Sequence, residues 1–295
     1  MTTDNYEGII VIYTKKNLNK QENVLLKKES LNIYTSRIDL LIKTLYNLVL
    51  NFLILVDIKY PVYILCENYT ENDKVYIKKL FDNITIIFED IYPCLPDFLE
   101  KDVVLKNIEN KPVAHWRNIG YRHMCKFFSC DIFTHPVISK FKYYMRIDDD
   151  SIIGTPLINI FKYMQQYNID YVYRVYQKKD CHVCNEGMID FFKSLGCYYN
   201  YNTDITPFNN FHIIRIGALK NKPILTNPKL NNTLISNIYN KRWGDAPIHG
   251  AYIKMYNLHA ICTETEDKTP IGKYLSFVYT KWGKKFEKGK YTITY

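Results

Sequence analysis

The sequence predicts an α/β fold, a mixed and mostly parallel sheet flanked by helices, and three observations carry that prediction. Strand-like and helix-like segments alternate through the first ninety residues. The strand candidates there are nearly continuous apolar runs, as expected when both faces of a sheet are covered. A further apolar run, Tyr143-Tyr144-Met145-Arg146-Ile147, ends in three successive carboxylates, Asp148, Asp149 and Asp150, and so brings negative charge to one edge of a sheet.

Gly8 to Tyr13 reads as the first strand, its β-branched residues favouring an extended backbone. A polar loop follows, then an amphipathic stretch from about Ser36 to Val56 that predicts a helix. Tyr60 to Cys66 predicts a second strand, Glu71 to Phe81 a helix and Ile84 to Phe88 a third strand, completing a βαβαβ unit. Proline-bearing loops from Tyr92 to Pro112 lead into His115 to Phe128, where apolar and aromatic residues recur at helical spacing. That helix runs into the acid-tipped strand. Phe161 to Tyr167 predicts a helix and Tyr171 to Tyr176 a strand. Beyond Asp180 come a cysteine-rich segment, then Asn209 to Ile214, then a helix ending near Arg242. No repeat, low-complexity tract or linker divides the chain, so one domain over 1–295 is expected.

Composition narrows the function classes. Hydrophobic residues make up 47% and aromatics 15% of 295 residues, which excludes a disordered or fibrous chain. The net charge of +9, from 39 Lys+Arg against 30 Asp+Glu, favours anionic partners. The basic residues are scattered and match no nucleic-acid-binding signature, so nucleic acid is not an expected partner. Met1 to Glu7 has neither a basic flank nor an apolar core, so no signal peptide is expected. The apolar run Thr44 to Val56 is interrupted by Asn47 and Asn51 and is too short for a membrane span. A soluble, cytoplasmic protein is the resulting expectation. The abundance of Asn, Lys, Ile and Tyr suits an AT-rich genome, and a large DNA virus is one source of that kind.

The eight cysteines are expected to be thiols in such a chain. Cys181-His182-Val183-Cys184 has the spacing of half a zinc site, with Cys197 as a third ligand, but no second Cys-x-x-Cys completes a tetrahedral set.

Three adjacent carboxylates repel one another, and the arrangement is cheapest when a cation sits among them. Mg²⁺ and Mn²⁺ favour carboxylate oxygens, and an Asp-x-Asp pair can hold one while leaving sites for substrate phosphates. In open α/β sheets ligands bind beyond the carboxyl ends of the strands, which is where Asp148 to Asp150 fall. The competing reading is a solvated Asp-rich turn leading to Gly154 and Pro156.

Three segments together extend this reading: Tyr121-Arg122-His123-Met124-Cys125-Lys126-Phe127, Tyr143 to Asp150, and Arg242-Trp243-Gly244-Asp245-Ala246-Pro247-Ile248-His249. In their order and content they resemble the fungal α-1,2-mannosyltransferases of glycosyltransferase family 15. The resemblance runs from about Trp116 to His259. It implies a GT-A fold, with residues 1–150 as the nucleotide-binding half and 151–295 as the acceptor-side half. It also implies a nucleotide-sugar donor, GDP-mannose in the family, a glycan or glycoprotein acceptor, and Mn²⁺, with Mg²⁺ as the alternative ion.

The family strand ends Glu-Pro-Asp where this one ends Asp148-Asp149-Asp150. The resemblance implies Asp148 and Asp150 as metal ligands, with Asp149 turned away by the alternation of the strand. His249 matches the family histidine that completes the metal site. Tyr121 matches a tyrosine near the donor phosphates and the reacting sugar. Arg122 and Arg146 either face the nucleotide or buttress the carboxylates. Asp245 either orients the acceptor or His249, or caps a helix. His212, in Asn210-Phe211-His212, replaces a family glutamate that faces the reacting sugar. A neutral imidazole can act as a base there but cannot supply an anionic carboxylate. Two other readings remain: a metal-dependent phosphoesterase or nuclease using the same carboxylates, and an inactive GT-A-fold module that binds glycan or protein.

Overall fold

The computed structural model describes residues 7–16, 37–56, 58–109, 118–153, 157–175, 184–262 and 278–280. The strands are β1 (Gly8–Lys15), β2 (Val62–Glu67), β3 (Ile86–Asp90), β4 (Tyr143–Ile147), β5 (Ser151–Ile153), β6 (Tyr171–Tyr173), β7 (Phe211–Arg215), β8 (Ala260–Cys262) and β9 (Val278–Thr280). Seven of them form one sheet in the order β3-β2-β1-β4-β7-β6-β8, while β5 pairs with β9 apart from it. The strands β3, β2, β1 and β4 run parallel, β7 lies antiparallel between β4 and β6, and β8 is parallel to β6. One sheet therefore crosses both halves of the chain.

Period-two alternation divides the core. Ile10, Ile12, Val62, Ile64, Met145, Ile147 and Ile213 face α1 (Arg37–Leu48) and α5 (Ile160–Gln166). Ile9, Val11, Tyr63, Leu65, Tyr144 and Ile214 belong to the opposite cluster, which also holds α4 (Ile119–Ser129), α8 (Pro228–Lys241) and α9 (Asp245–Met255). Two covered faces explain why the strands read as unbroken apolar runs.

Local chemistry sets the helix boundaries. Thr70 and Asp73 form a reciprocal capping box ahead of α2 (Glu71–Leu80). Asn118 caps α4, and Asn227 followed by Pro228 opens α8. Helix α1 continues as a π turn over Val49–Leu53. Asn47 and Asn51, which interrupt its apolar run, both bond the backbone of Ile153 and so hold β5 against the helix.

The structure departs from the sequence reading in several places. The expected loop between Tyr92 and Pro112 contains a helix, α3 (Lys101–Glu109). The prolines of that stretch all lie outside it, leaving Val104 free to bury in the core. The third strand is displaced by two residues, and β6 ends at Tyr173. Beyond the cysteine-rich segment lie α6 (Met188–Ser194), a short helix α7 (Pro223–Thr226) and β8, none of which the sequence pattern separated. Residues 115–117, Tyr176 and Cys181 to Val183 lie outside the described residues.

Cys66, Cys94, Cys125, Cys130, Cys197 and Cys262 are thiols as expected. Cys184 is not: it is disulfide-bonded. A sulfur in a disulfide is no longer a thiolate donor, which removes Cys184 from the half zinc site. No helix among the described residues is long and apolar enough to cross a membrane.

Candidate active site

The three carboxylates lie just past the end of β4, where Ser151 N–H donates to Asp148 O at 3.0 Å and closes a turn over 148–151. In a turn, successive side chains leave in different directions, and each aspartate acquires its own partner.

Asp149 turns inward. Thr14 Oγ1, at the carboxyl end of β1, donates to Asp149 Oδ2 at 2.5 Å, and Arg37 Nε, at the start of α1, lies 3.2 Å from the same oxygen. The Asp149 carbonyl accepts from Thr44 Oγ1 at 2.9 Å. Burial pushes the Asp149 carboxyl up to about 7 against the pull of Arg37, with Asp150 and Asp148 adding to the rise. Asp150 keeps a looser contact, Oδ2 to Arg37 Nη1 at 3.5 Å.

Asp148 is held from the other side. Arg146 Nε donates to Asp148 Oδ1 at 2.9 Å, and its Nη1 pairs with Asp245 Oδ2. The guanidinium also lies 3.9 Å from the centre of the Phe128 ring. Burial raises the Asp148 carboxyl to about 6, Arg146 opposes the rise and Asp150 reinforces it. Burial works the same way on Asp245, yet Arg146 holds that carboxyl below its ordinary value. Of the two roles open to Arg146, the structure shows the buttress.

Asp148 and Asp150, the two carboxylates of the turn that are not turned inward, offer oxygen donors of the kind a hard divalent cation takes. His249 is not brought to them: it is fully buried, its Nδ1 bonded to Tyr171 Oη at 2.8 Å and its Nε2 to Phe128 O at 3.0 Å. Among the described residues no three His, Cys, Asp or Glu side chains converge as a metal site.

The remaining site residues divide. Tyr121 sits in the first turn of α4 with the Arg242 guanidinium 5.6 Å from its ring centre, so it faces the segment leading into α9. Arg122 points elsewhere: it is buried, and Nη1 donates to the carbonyls of Ile238 and Tyr239 at 3.3 and 2.8 Å. The expectation that it faces the nucleotide or the carboxylates is corrected, because the last turn of α8 leaves carbonyls that need donors. Asp245 is not a helix cap, since Gly244 occupies that position; it is the first residue of α9 and the partner of Arg146.

His212 is fully buried opposite Arg146 in the β4–β7 ladder. Its Nε2 meets Tyr144 Oη at 3.0 Å, and its ring lies 5.1 Å from that of His249 and 6.1 Å from Phe128. Burial, then the nearby His249 and Arg146, hold its pKa well below the ordinary value, so the ring is neutral. The structure places it beneath the site rather than at its surface. Thr14 and Arg37 went unnoticed in the sequence, and Asn210 figured there only as part of the segment around His212. The available signal was position, since Thr14 lies at the carboxyl end of a parallel strand and Asn210 immediately precedes β7.

A mostly parallel sheet with one antiparallel strand, and a carboxylate turn at the carboxyl end of its central parallel strand, define the GT-A class of glycosyltransferase. A family model described as glycolipid 2-alpha-mannosyltransferase matches residues 15–221, and the chain belongs to that family. The match reaches further toward the N-terminus than the motifs alone and stops short of Arg242 to His249.

A probable mannosyltransferase MNT3 of Candida albicans is 26% identical over 167 residues, covering 52% of this chain and 43% of that protein. The O-glycoside alpha-1,2-mannosyltransferase omh1 of Schizosaccharomyces pombe is 22% identical over 192 residues, covering 56% and 48%. The chain thus spans about half the length of the curated relatives it matches. Among solved structures, the mannosyltransferase Ktr4p from S. cerevisiae in complex with GDP aligns with a TM-score of 0.66 at 19% identity, over 87% of this chain and 67% of that one. Core-mannan synthase A from Aspergillus fumigatus, in its Mn/GDP form, aligns with a TM-score of 0.64 at 14% identity, over 86% and 71%. At these identities the likeness shows the shared fold. These relatives are fungal and lend no support to a viral source.

Proposed function

We propose that this chain transfers mannose from GDP-mannose to a hydroxyl of a glycan or glycoprotein, with Mn²⁺ held by Asp148 and Asp150. The observation that carries the reading is the carboxylate turn at the end of β4, braced by Arg146 on one side and by Thr14 and Arg37 on the other. When bound, the divalent cation neutralises charge on the diphosphate. Arg146 keeps Asp148 oriented, and its second pair, to Asp245, anchors the guanidinium to α9. Tyr121 faces Arg242 at the entry to α9, and in the proposed reaction its hydroxyl donates to a phosphate oxygen.

The bond between the anomeric carbon and the diphosphate oxygen breaks, and the acceptor oxygen bonds the same carbon. His212 lies below the surface, so the acceptor proton passes to the departing diphosphate rather than to the imidazole.

The test is a thermal-shift panel of GDP-, UDP- and dTDP-sugars with and without Mn²⁺, on the wild type and on Asp150→Ala. Ligand at a hundred times its Kd stabilises the native state by about 2.7 kcal/mol. A Mn²⁺-dependent shift with GDP-mannose, lost in the variant, supports the reading; no shift with any donor sinks it. Burial of His212 where the family has a glutamate favours one second reading, an inactive glycan- or protein-binding module. That reading predicts donor binding without transfer.

A further inference from the structure

Asn210 is more than nine-tenths buried, yet its side-chain Oδ1 and Nδ2 both lack a hydrogen-bond partner. Among the described residues it is the only buried side-chain amide with both ends unpaired. An unsatisfied buried donor or acceptor costs about 1–3 kcal/mol, and native structures leave few of them. The neighbouring Asn209 has one end engaged, its Oδ1 accepting from Tyr171 Oη at 3.1 Å, and only its Nδ2 unpaired.

The position of Asn210 links its two unpaired ends to the reaction. Asp148 N–H donates to Asn210 O at 3.2 Å, which continues the β4–β7 ladder one step beyond Ile147↔Phe211. Residues paired across such a ladder share a face, with Cβ atoms about 5 Å apart. The backbone bond makes Asn210 the cross-chain neighbour of Asp148, whose carboxylate holds the cation in the proposed reaction.

The chemistry of an amide selects among ligands. A phosphate offers only acceptors and leaves Oδ1 unpaired, whereas a cation takes Oδ1 and leaves Nδ2 unpaired. A pair of neighbouring sugar hydroxyls both donates and accepts, and satisfies the two ends together. We infer that Asn210 is a specificity-determining residue that binds vicinal hydroxyls of the transferred hexose. This rests on the transferase reading given above.

The experiment compares kcat/KM of the wild type and Asn210→Ala with GDP-mannose and a set of its monodeoxy analogues. Melting temperature and Mn²⁺-dependent GDP binding of both proteins serve as controls for folding and for the carboxylate turn. The expected result is a loss of about 100-fold or more with the parent donor in the variant. Removing the hydroxyl that Asn210 binds lowers the wild-type value comparably, and the variant then discriminates little between that analogue and the parent. Wild-type transfer with an indifferent variant, or a penalty equal for all the deoxy donors, overturns this inference alone. Absence of donor binding by the wild type overturns the transferase reading and this inference with it.

Discussion

Thr14 Oγ1 donates a 2.5 Å hydrogen bond to Asp149 Oδ2 and so ties the end of β1 to the turn that follows β4. Asp149 is the middle carboxylate of three and the most buried of them, and its contacts reach β1 and α1 together. Asp149 thereby fixes the turn, while Asp148 and Asp150 pair with Arg146 and Arg37.

Asp149→Ala is accordingly expected to lower stability by about 2–3 kcal/mol, since Thr14 and Arg37 both lose a buried acceptor. Asp149→Asn, which retains one acceptor oxygen, should cost less. Urea unfolding of the two variants checks this, and equal stability for wild type and alanine variant would contradict it.

Arg146 spans two carboxylates, and Asp245 is almost wholly buried against it. Arg146→Met should destabilise by about 3–5 kcal/mol, because the Asp245 charge is left without a partner. Arg146→Lys should recover only part of that loss, since an ammonium lacks the planar fork that meets Asp148 and Asp245 at once. Adding Asp245→Asn to Arg146→Met should restore much of the stability, a coupling read from the double-mutant cycle.

His123 Nδ1 lies 2.6 Å from Tyr239 Oη, and burial, then the nearby Lys126 and Lys15, lower its pKa to about 4. In the unfolded chain this imidazole takes up a proton near pH 6.5, whereas in the fold it stays neutral until about pH 4. Its contribution is complete above the unfolded value and is lost as the pH falls through that window. His123→Gln should flatten the decline in unfolding free energy between those two pH values. An unchanged slope would mean the ring is protonated in the fold without penalty.

Both ring nitrogens of His249 are engaged within the protein. His249→Asn should lower the melting temperature while leaving Mn²⁺ affinity within about threefold, whereas Asp150→Ala should do the reverse. Calorimetric titration of Mn²⁺ decides the matter. A folded His249→Asn protein that no longer binds Mn²⁺ would restore the histidine to the ligand set.

Gly250 lies in α9, where an added Cβ would overlap the carbonyl oxygen of Ile205 and the hydroxyl of Tyr199. Gly250→Ala should cost about 1–3 kcal/mol through overpacking. Gly217, with open space at the same construction, is the control: Gly217→Ala should be nearly neutral. A shared effect on both melting temperatures would rule out the steric cause.

The strands of the first half of the sheet, β1 to β4, were legible in the residues alone, because strand and helix periods are written within windows of ten or so residues, and burial on both faces shows as unbroken apolar runs. The sequence also determined the family, through Tyr121 to Phe127, Tyr143 to Asp150 and Arg242 to His249. Where those side chains point depends on contacts between distant parts of the chain. Asp148 to Asp150 form a turn rather than a strand end because of one backbone bond from Ser151. Arg122 serves α8 because carbonyls more than a hundred residues away lack donors. His212 faces the interior because its pairing with Arg146 puts it among Phe128, Tyr144 and His249, and Asn210 stands beside Asp148 through the same register. Residue type and spacing are local properties, whereas orientation is settled by which distant group satisfies each polar atom, and that appears only once the chain is folded.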